Sequence, residues 1–201
     1  MMENSFSLNE KCQLAKVTQS VLDHTDPFTC GEDDLDEFFA CDTIAYSKQL
    51  MGKTYCWVLK EQPTKIVGMI TVANAGIQTT HLQNHPKRKL NTNIPYSKQG
   101  RTYPAVLIGR LGVSTDFQGP EYRIGAQIMD FIKKWFRSTD NKTGCRFILV
   151  DAVNNERTLR YYERNGFKPL FPRLNDEKTF YGINLEEDLR TRMYYFDLLS
   201  L

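Results

Sequence analysis

Apolar and polar positions along this chain alternate between two periods. Residues 54–60 (TYCWVLK) and 65–75 (KIVGMITVANA) are rich in β-branched and aromatic side chains. The stretch Glu61-Gln-Pro-Thr between them reads as a turn, so the two runs predict an antiparallel hairpin. Residues 104–113 (PAVLIGRLGV) are nearly all apolar and predict a central strand. From Tyr122 to Arg137 the period lengthens. Ile124, Ile128, Phe131, Ile132 and Trp135 recur at three- and four-residue spacings, which predicts an amphipathic helix. Residues 145–151 (CRFILVD) predict another buried strand. Asn154 or Asn155 then caps a helix through Arg164, and Asn165-Gly166 ends it. Residues 13–17 predict a first strand, and 167–171 and 192–198 are candidates for the last ones. A helix is expected over 31–48, with acids in its first turn and Leu35, Phe38, Phe39 and Ala45 near one side. A hairpin followed by strand–helix–strand–helix–strand predicts an α/β fold, a mixed sheet covered on both faces. Neither a repeat nor a break in composition marks a second domain, so residues 1–201 are expected to form one.

Composition narrows the class. The chain is 41% apolar and 25% charged, and its 12 Phe, 10 Tyr and 2 Trp supply ample core material, which excludes disordered and low-complexity classes. No run of apolar residues is long enough to span a membrane. The first 17 residues lack the apolar core of a signal peptide, so an intracellular, cytoplasmic protein is expected. The five cysteines are odd in number and form no CxxC pair, suggesting neither a disulfide framework nor zinc. His81 and His85 have helical spacing, but Pro86 follows and no third ligand is near, so a polar loop is expected and no metal.

Net charge is only +2, but its distribution is uneven. Residues 77–103 hold Lys87, Arg88, Lys89, Lys98 and Arg101 and no acid, a +5 segment in a remainder of −3. It reads as a basic loop insertion that interrupts regular structure for about 25 residues, unusual in a compact domain unless functional. It can attract an anionic partner or serve only as a solvated loop. The opposite sign gathers in Glu32, Asp33, Asp34, Asp36 and Glu37.

Two stretches carry candidate chemistry. In the first, the strand through Leu111-Gly112-Val113 runs by a loop into a helix: Gln118-Gly119-Pro-Glu-Tyr-Arg123-Ile124-Gly125-Ala126. A glycine-containing turn ahead of a helix N-terminus is an anion cradle, where backbone N–H groups and the helix dipole converge. The second is Val150-Asp-Ala, then Asn155 capping a helix with Tyr161 and Tyr162, and a Gly166-Phe167 stop. Adjacent helical tyrosines diverge by about 100°, so if Tyr161 packs inward, Tyr162 is placed to donate a proton.

Together these stretches resemble the GNAT superfamily of acyl-CoA-dependent N-acetyltransferases over roughly residues 54–171. The run from Asn155 to Phe167 matches the family's N-x-x-A-x-x-F/Y-Y-x-x-x-G-F at every anchor, with Thr158 for the usual Ala. The family's Q-x-x-G-x-G/A is met by Gln118-Gly119 and Ile124-Gly125-Ala126, while Pro120–Arg123 departs from it. Phe28-Thr-Cys-Gly31-Glu-Asp-Asp-Leu35-Asp36-Glu-Phe38, Gly109-Arg110-Leu111-Gly112-Val113 and Val150-Asp-Ala resemble toxin-type members. These acetylate aminoacyl-tRNA and usually pair with a ribbon-helix-helix antitoxin.

The resemblance implies a GNAT-like twisted sheet, antiparallel passing to parallel, with helices on both faces. It implies acetyl-CoA as cosubstrate, its thioester against Leu111, Gly112 and Val113, its pyrophosphate on Gln118, Gly119 and Arg123–Ala126, and its pantetheine arm on Asn155. An acceptor amine attacks directly in a ternary complex and Tyr162 protonates the departing thiolate. For tRNA, Arg88, Lys89 and Arg101 are the leading contacts, with Lys87 and Lys98 beside them. For a lysine or alkyl amine, Glu32, Asp33 or Asp34 is a candidate base. A small-amine or protein acceptor, a homodimer, and a non-catalytic CoA-binding module all stay open. So does a partner-binding scaffold using the acidic helix and Tyr194, Tyr195 and Phe196 if exposed, although these aromatics read better as core strand residues.

Overall fold

The structure, a computed structural model, describes residues 6–82, 84–91, 94, 102–141 and 144–200. The chain opens with a short helix α1 (Leu8–Lys11), strand β1 (Cys12–Lys16) and helix α2 (Gln19–Asp23). Helices α3 (Asp33–Glu37) and α4 (Thr43–Lys48) are joined through a π-helical turn, Phe38–Asp42. Strands β2 (Lys53–Leu59) and β3 (Ile66–Gln78) follow, then helix α5 (Asn84–Asn91) and strand β4 (Thr102–Val113). The remainder is α6 (Ile124–Arg137), β5 (Phe147–Val153), α7 (Glu156–Arg164), β6 (Lys168–Pro169), α8 (Leu174–Tyr181) and β7 (Thr191–Asp197).

The strands form one seven-stranded sheet in the order β1-β2-β3-β4-β5-β7-β6, mostly antiparallel with one parallel pair. The expected mixed α/β fold is therefore present. The chain divides into two compact units, residues 1–73 with 108–134, and 74–107 with 135–201.

In the first unit β1 pairs β2 along its whole length, from Cys12–Leu59 to Lys16–Tyr55. The hairpin β2–β3 is antiparallel as expected, with a register shift at Trp57/Val58. Phe38, Phe39, Cys56, Ile66, Met69 and Val17 make its buried cluster. The expected helix 31–48 starts later, at Asp33, and its middle widens into the π turn. The Arg110 guanidinium lies 3.6 Å from the ring centroid of Phe38, at the start of that turn, and 5.6 Å from that of Tyr46 on α4, a cation–π contact beside it.

In the second unit β5 and β7 pair from Phe147–Asp197 to Val153–Thr191. The segment expected to be an irregular basic loop holds a 3₁₀ turn, Thr79–His81, and the helix α5. Ile77, Leu82 and Leu90 are buried with Tyr103, Phe147 and Leu149, and Ile94 packs on them. Four widely spaced apolar residues thus hold a segment whose composition reads as loop. Pro86 falls in the first turn of α5, where its missing N–H costs nothing. The strand expected over 167–171 shrinks to β6; the Leu170 amide still donates to the Met193 carbonyl of β7 at 2.8 Å, while Leu170 and Phe171 are buried in the core. Helix α8 was not foreseen. Its Glu177 is fully buried and accepts from the Arg192 Nε and the Met193 amide, both at 2.5 Å. A buried carboxylate is held there because Arg192 neutralises it. Tyr194, Tyr195 and Phe196 are buried strand residues, so they offer no exposed partner surface.

Candidate active site

The first unit carries the loop ahead of α6. Gly119 has φ +144°, and Arg123 has φ +49°, left-handed conformations that break the backbone away from helix before Ile124. That is why α6 begins at Ile124 and not at Tyr122. The Arg123 amide donates to the Gly119 carbonyl at 3.2 Å, closing a tight turn. Ile124, Gly125 and Ala126 form the first turn of the helix, the place where the sequence expects an anion cradle.

Gln118 is tied into the protein by its side-chain amide. Its Nε2 donates to the Cys30 carbonyl at 2.8 Å and to the Val113 carbonyl at 2.9 Å. It ties the loop to the end of β4 and to the residue before Gly31. Gly112 lies against the same region: a Cβ there would meet Phe39 at 3.0 Å and Cys30 at 3.2 Å, so a larger residue would need both side chains to shift. Leu111 and Val113 on either side of it are half-buried. Asp36 completes the local net, accepting from the Cys30 amide at 2.7 Å and the Thr29 hydroxyl at 2.5 Å. These bonds outweigh its desolvation and hold the carboxyl below its usual range. Burial pushes the Cys30 thiol up to about 11, with the Asp36 hydrogen bond adding to it, so it is no nucleophile near neutral pH.

One residue works against an anion in the cradle. A Cβ on Gly119 would lie 2.5 and 2.6 Å from the two carboxylate oxygens of Glu121. The Glu121 carboxylate therefore folds back over Gly119.

The second unit carries α7. Asn155 caps it, its Oδ1 accepting from the Thr158 amide at 2.8 Å. Asn154 turns the other way, its Nδ2 donating to the Leu189 carbonyl at 2.8 Å. The helix ends as expected, with the Gly166 and Phe167 amides returning to the Glu163 and Tyr162 carbonyls and Gly166 at φ +80°. Tyr161 and Tyr162 are both half-buried, their ring centroids 5.1 Å apart. Tyr162 also lies edge-on to Phe167 at 5.5 Å. Burial pushes the Tyr162 phenol up to about 12, and the nearby Asp151 carboxylate adds to the shift. Asp151 itself is raised by desolvation of its carboxyl, although much of the residue's surface is open. Nothing in the sequence beyond the Val150-Asp-Ala run points to Asp151 as the electrostatic neighbour of Tyr162.

Among the basic residues, Lys87 is half-buried and Arg88 exposed on α5. Of Lys89 only the backbone is described. Lys98 and Arg101 lie outside the described residues.

A family model for the acetyltransferase (GNAT) domain matches residues 52–169, more than half of the chain. The chain belongs to the GNAT acetyltransferase family. The GNAT match runs from the first hairpin through the α6 loop to the end of α7, so it includes both candidate stretches. A search of the curated proteins finds no match. Among solved structures, a tyrosine-to-phenylalanine mutant of KacT superposes with a TM-score of 0.62 at 19% identity, over 94% of this chain and 96% of that one. AtaT complexed with acetyl-methionyl-tRNAfMet gives 0.62 at 20% identity, over 94% and 96%. The AtaT toxin bound to the C-terminus of the antitoxin AtaR and acetyl-CoA gives 0.58 at 16%, over 94% and 95%. At these identities the likeness establishes the fold.

Proposed function

We propose that the whole chain works as one acetyl-CoA-dependent N-acetyltransferase domain whose acceptor is the amino group of an aminoacyl-tRNA. The observation that carries this reading is the conjunction, in one GNAT chain, of a left-handed turn ahead of α6 and a capped helix bearing Tyr162. Acetyl-CoA fits the first of these. Its pyrophosphate is bound by the Gly119 and Ile124–Ala126 amides, with Arg123 supplying a cation. Leu111-Gly112-Val113 receives the thioester, where a backbone N–H stabilises the developing oxyanion. The Oδ1 of Asn155 is spent on its cap, so its exposed amide NH₂ is what reaches the pantetheine arm. Neutral acceptor amine attacks the carbonyl, the C–S bond breaks, the Tyr162 phenol gives its proton to the thiolate, and the proton lost by the acylated nitrogen passes through solvent to restore the phenol. With the phenol at about 12 and a thiol near 8.5, transfer is uphill until the thiolate is desolvated. An α-amino group has a pKa of about 8, so much of it is neutral without a base.

Support for the tRNA acceptor comes from the basic residues of 77–103 and from AtaT's complex with acetyl-methionyl-tRNAfMet. The AtaT–AtaR structure supports a partner antitoxin. A cytoplasmic location goes with both. Glu121 over Gly119 favours a second reading, a CoA-binding module without turnover.

The test is acetyl transfer from acetyl-CoA to bulk charged tRNA, beside a polyamine and peptide panel, for wild type and Tyr162→Phe. Product on aminoacyl-tRNA that falls by about two orders of magnitude in Tyr162→Phe supports the proposal. Turnover on small amines or peptides alone discards the tRNA acceptor. Binding of acetyl-CoA without any turnover leaves the binding module. Replacing Lys87, Arg88, Lys89, Lys98 and Arg101 together should flatten the salt dependence of tRNA binding; an unchanged slope removes their role.

A further inference from the structure

Phe6 and Leu8 are bound to the α6 loop and to the first turn of α6. The side-chain amide of Gln127, one turn into α6, makes three bonds of 2.8 Å. Its Oε1 accepts from the Leu8 amide, and its Nε2 donates to the Phe6 carbonyl and to the Tyr122 carbonyl. Both Nε2 protons are thereby used, one on the N-terminal segment and one on the loop. The ring of Phe6 sits between the two aromatic residues that frame the loop. Its centroid is 5.6 Å from that of Phe117 and 5.8 Å from that of Tyr122, which are themselves 5.7 Å apart. Behind Phe6, Leu8 is buried, and α1 leads directly into β1, which is paired to β2 at every residue. The arm is thus anchored at one end in the sheet and clasped at the other to the loop.

Within the loop, Pro120 has no amide to donate, and the Arg123 amide closes the turn on the Gly119 carbonyl at 3.2 Å. Gln118 fixes the loop where it leaves β4. Gln127 and Phe6 fix it where it enters α6. We propose that Phe6 and Gln127 are positioning residues for the phosphate-binding loop: the N-terminal arm is part of the donor site, holding the α6 amides in the arrangement that receives the pyrophosphate. Neither residue touches the donor. The functional part of this inference rests on the acetyl-CoA reading above; the clamp itself does not.

The experiment has two readouts, taken on wild type, Phe6→Ala, Phe6→Tyr and Gln127→Leu in the full chain. Hydrogen exchange without any ligand reads the clamp. Loss of the Phe6 ring packing or of the Gln127 hydrogen bonds should speed exchange of the bonded Leu8, Arg123 and Gln127 amides by about tenfold in Phe6→Ala and Gln127→Leu, while β5 and β7 amides keep wild-type rates. Steady-state kinetics reads the donor site. KM for acetyl-CoA should rise about tenfold in the same two variants with kcat within about twofold, and Phe6→Tyr should restore both readouts. S-acetyl-N-acetylcysteamine, which carries the thioester without the nucleotide, should show no change in KM. A parallel rise with that short donor would mean a general loosening and overturns the positioning role. Wild-type exchange in both variants overturns the clamp. A wild-type protein that binds no acetyl-CoA overturns the donor reading instead, and the exchange data still decide the clamp.

Discussion

The loop before α6 and the helix α7 are built on opposite principles. Helix α7 is closed by residues inside its own motif: Asn155 caps it three residues ahead, and Gly166 and Phe167 return to Glu163 and Tyr162. The α6 loop is closed by side chains from elsewhere. Gln118 reaches a carbonyl 88 residues away, and Gln127 reaches one 121 residues away. A local motif survives drift in the rest of the chain. A loop braced from a distance lets its own residues vary, provided the braces persist. That is a physical reason why Pro120–Arg123 can depart from the family pattern while the turn is kept.

The strongest challenge to this contrast is Glu177, a remote brace inside the second unit. Glu177→Gln leaves Arg192 buried without its countercharge, and urea unfolding should show a loss of about 3–5 kcal/mol. Since the Glu177 carboxyl is itself raised by burial ahead of its stabilising bonds, a change below about 1 kcal/mol would mark the pair as incidental.

Tyr162 sharpens the contrast through pH. Its phenol is raised to about 12, so the folded state holds this proton at pH values where an unfolded tyrosine, near 10, has lost it. Activity that needs the phenol therefore persists below the folded value and is lost as pH rises through it. The sign for stability is the same: the contribution is complete below about 10 and disappears above it. A fall in kcat on an alkaline limb near pH 9–10 that vanishes in Tyr162→Phe would contradict the shift. Removing the neighbour in Asp151→Asn should move the phenol down, because the carboxylate adds to its rise.

Asn155→Ala should lower stability by about 1 kcal/mol through the lost cap, seen by thermal unfolding, without altering exchange in the 118–126 loop. Coupling between the two would break the separation drawn here. The smallest effect is expected at Glu121. Glu121→Gln removes a like charge from above Gly119 and should tighten acetyl-CoA two- to fivefold at low salt, by an order-of-magnitude reckoning, with the gain shrinking as salt rises. Calorimetry at two ionic strengths measures it; weaker binding in the variant would assign Glu121 a structural role in the turn.

The hairpin, β4, α6, β5 and α7 were all legible because each carries a period or a cap within a dozen residues. The helix break at Arg123 was not, since a left-handed arginine has no compositional mark. Nor was α5, where Ile77, Leu82, Leu90 and Ile94 are too sparse to form a stripe and become anchors only against Tyr103 and Phe147. Asp151 lies within a visible run, yet its relation to Tyr162 comes from folding. The final strand was placed to within a residue, while α8 was missed because its one buried anchor is a glutamate.

By itself, then, the sequence determined the hairpin, β4, α6, β5 and the last strand, where α7 begins and ends, and membership of the GNAT family, since all of these rest on spacings along the chain. The tertiary structure alone decided how the α6 loop is held and that Glu177 is buried. It also decided that Tyr194, Tyr195 and Phe196 are all buried and that Phe6 packs beside Phe117 and Tyr122. Those outcomes depend on which distant carbonyl a glutamine meets and which charge faces a buried carboxylate, and such partners exist only once the chain has brought them together.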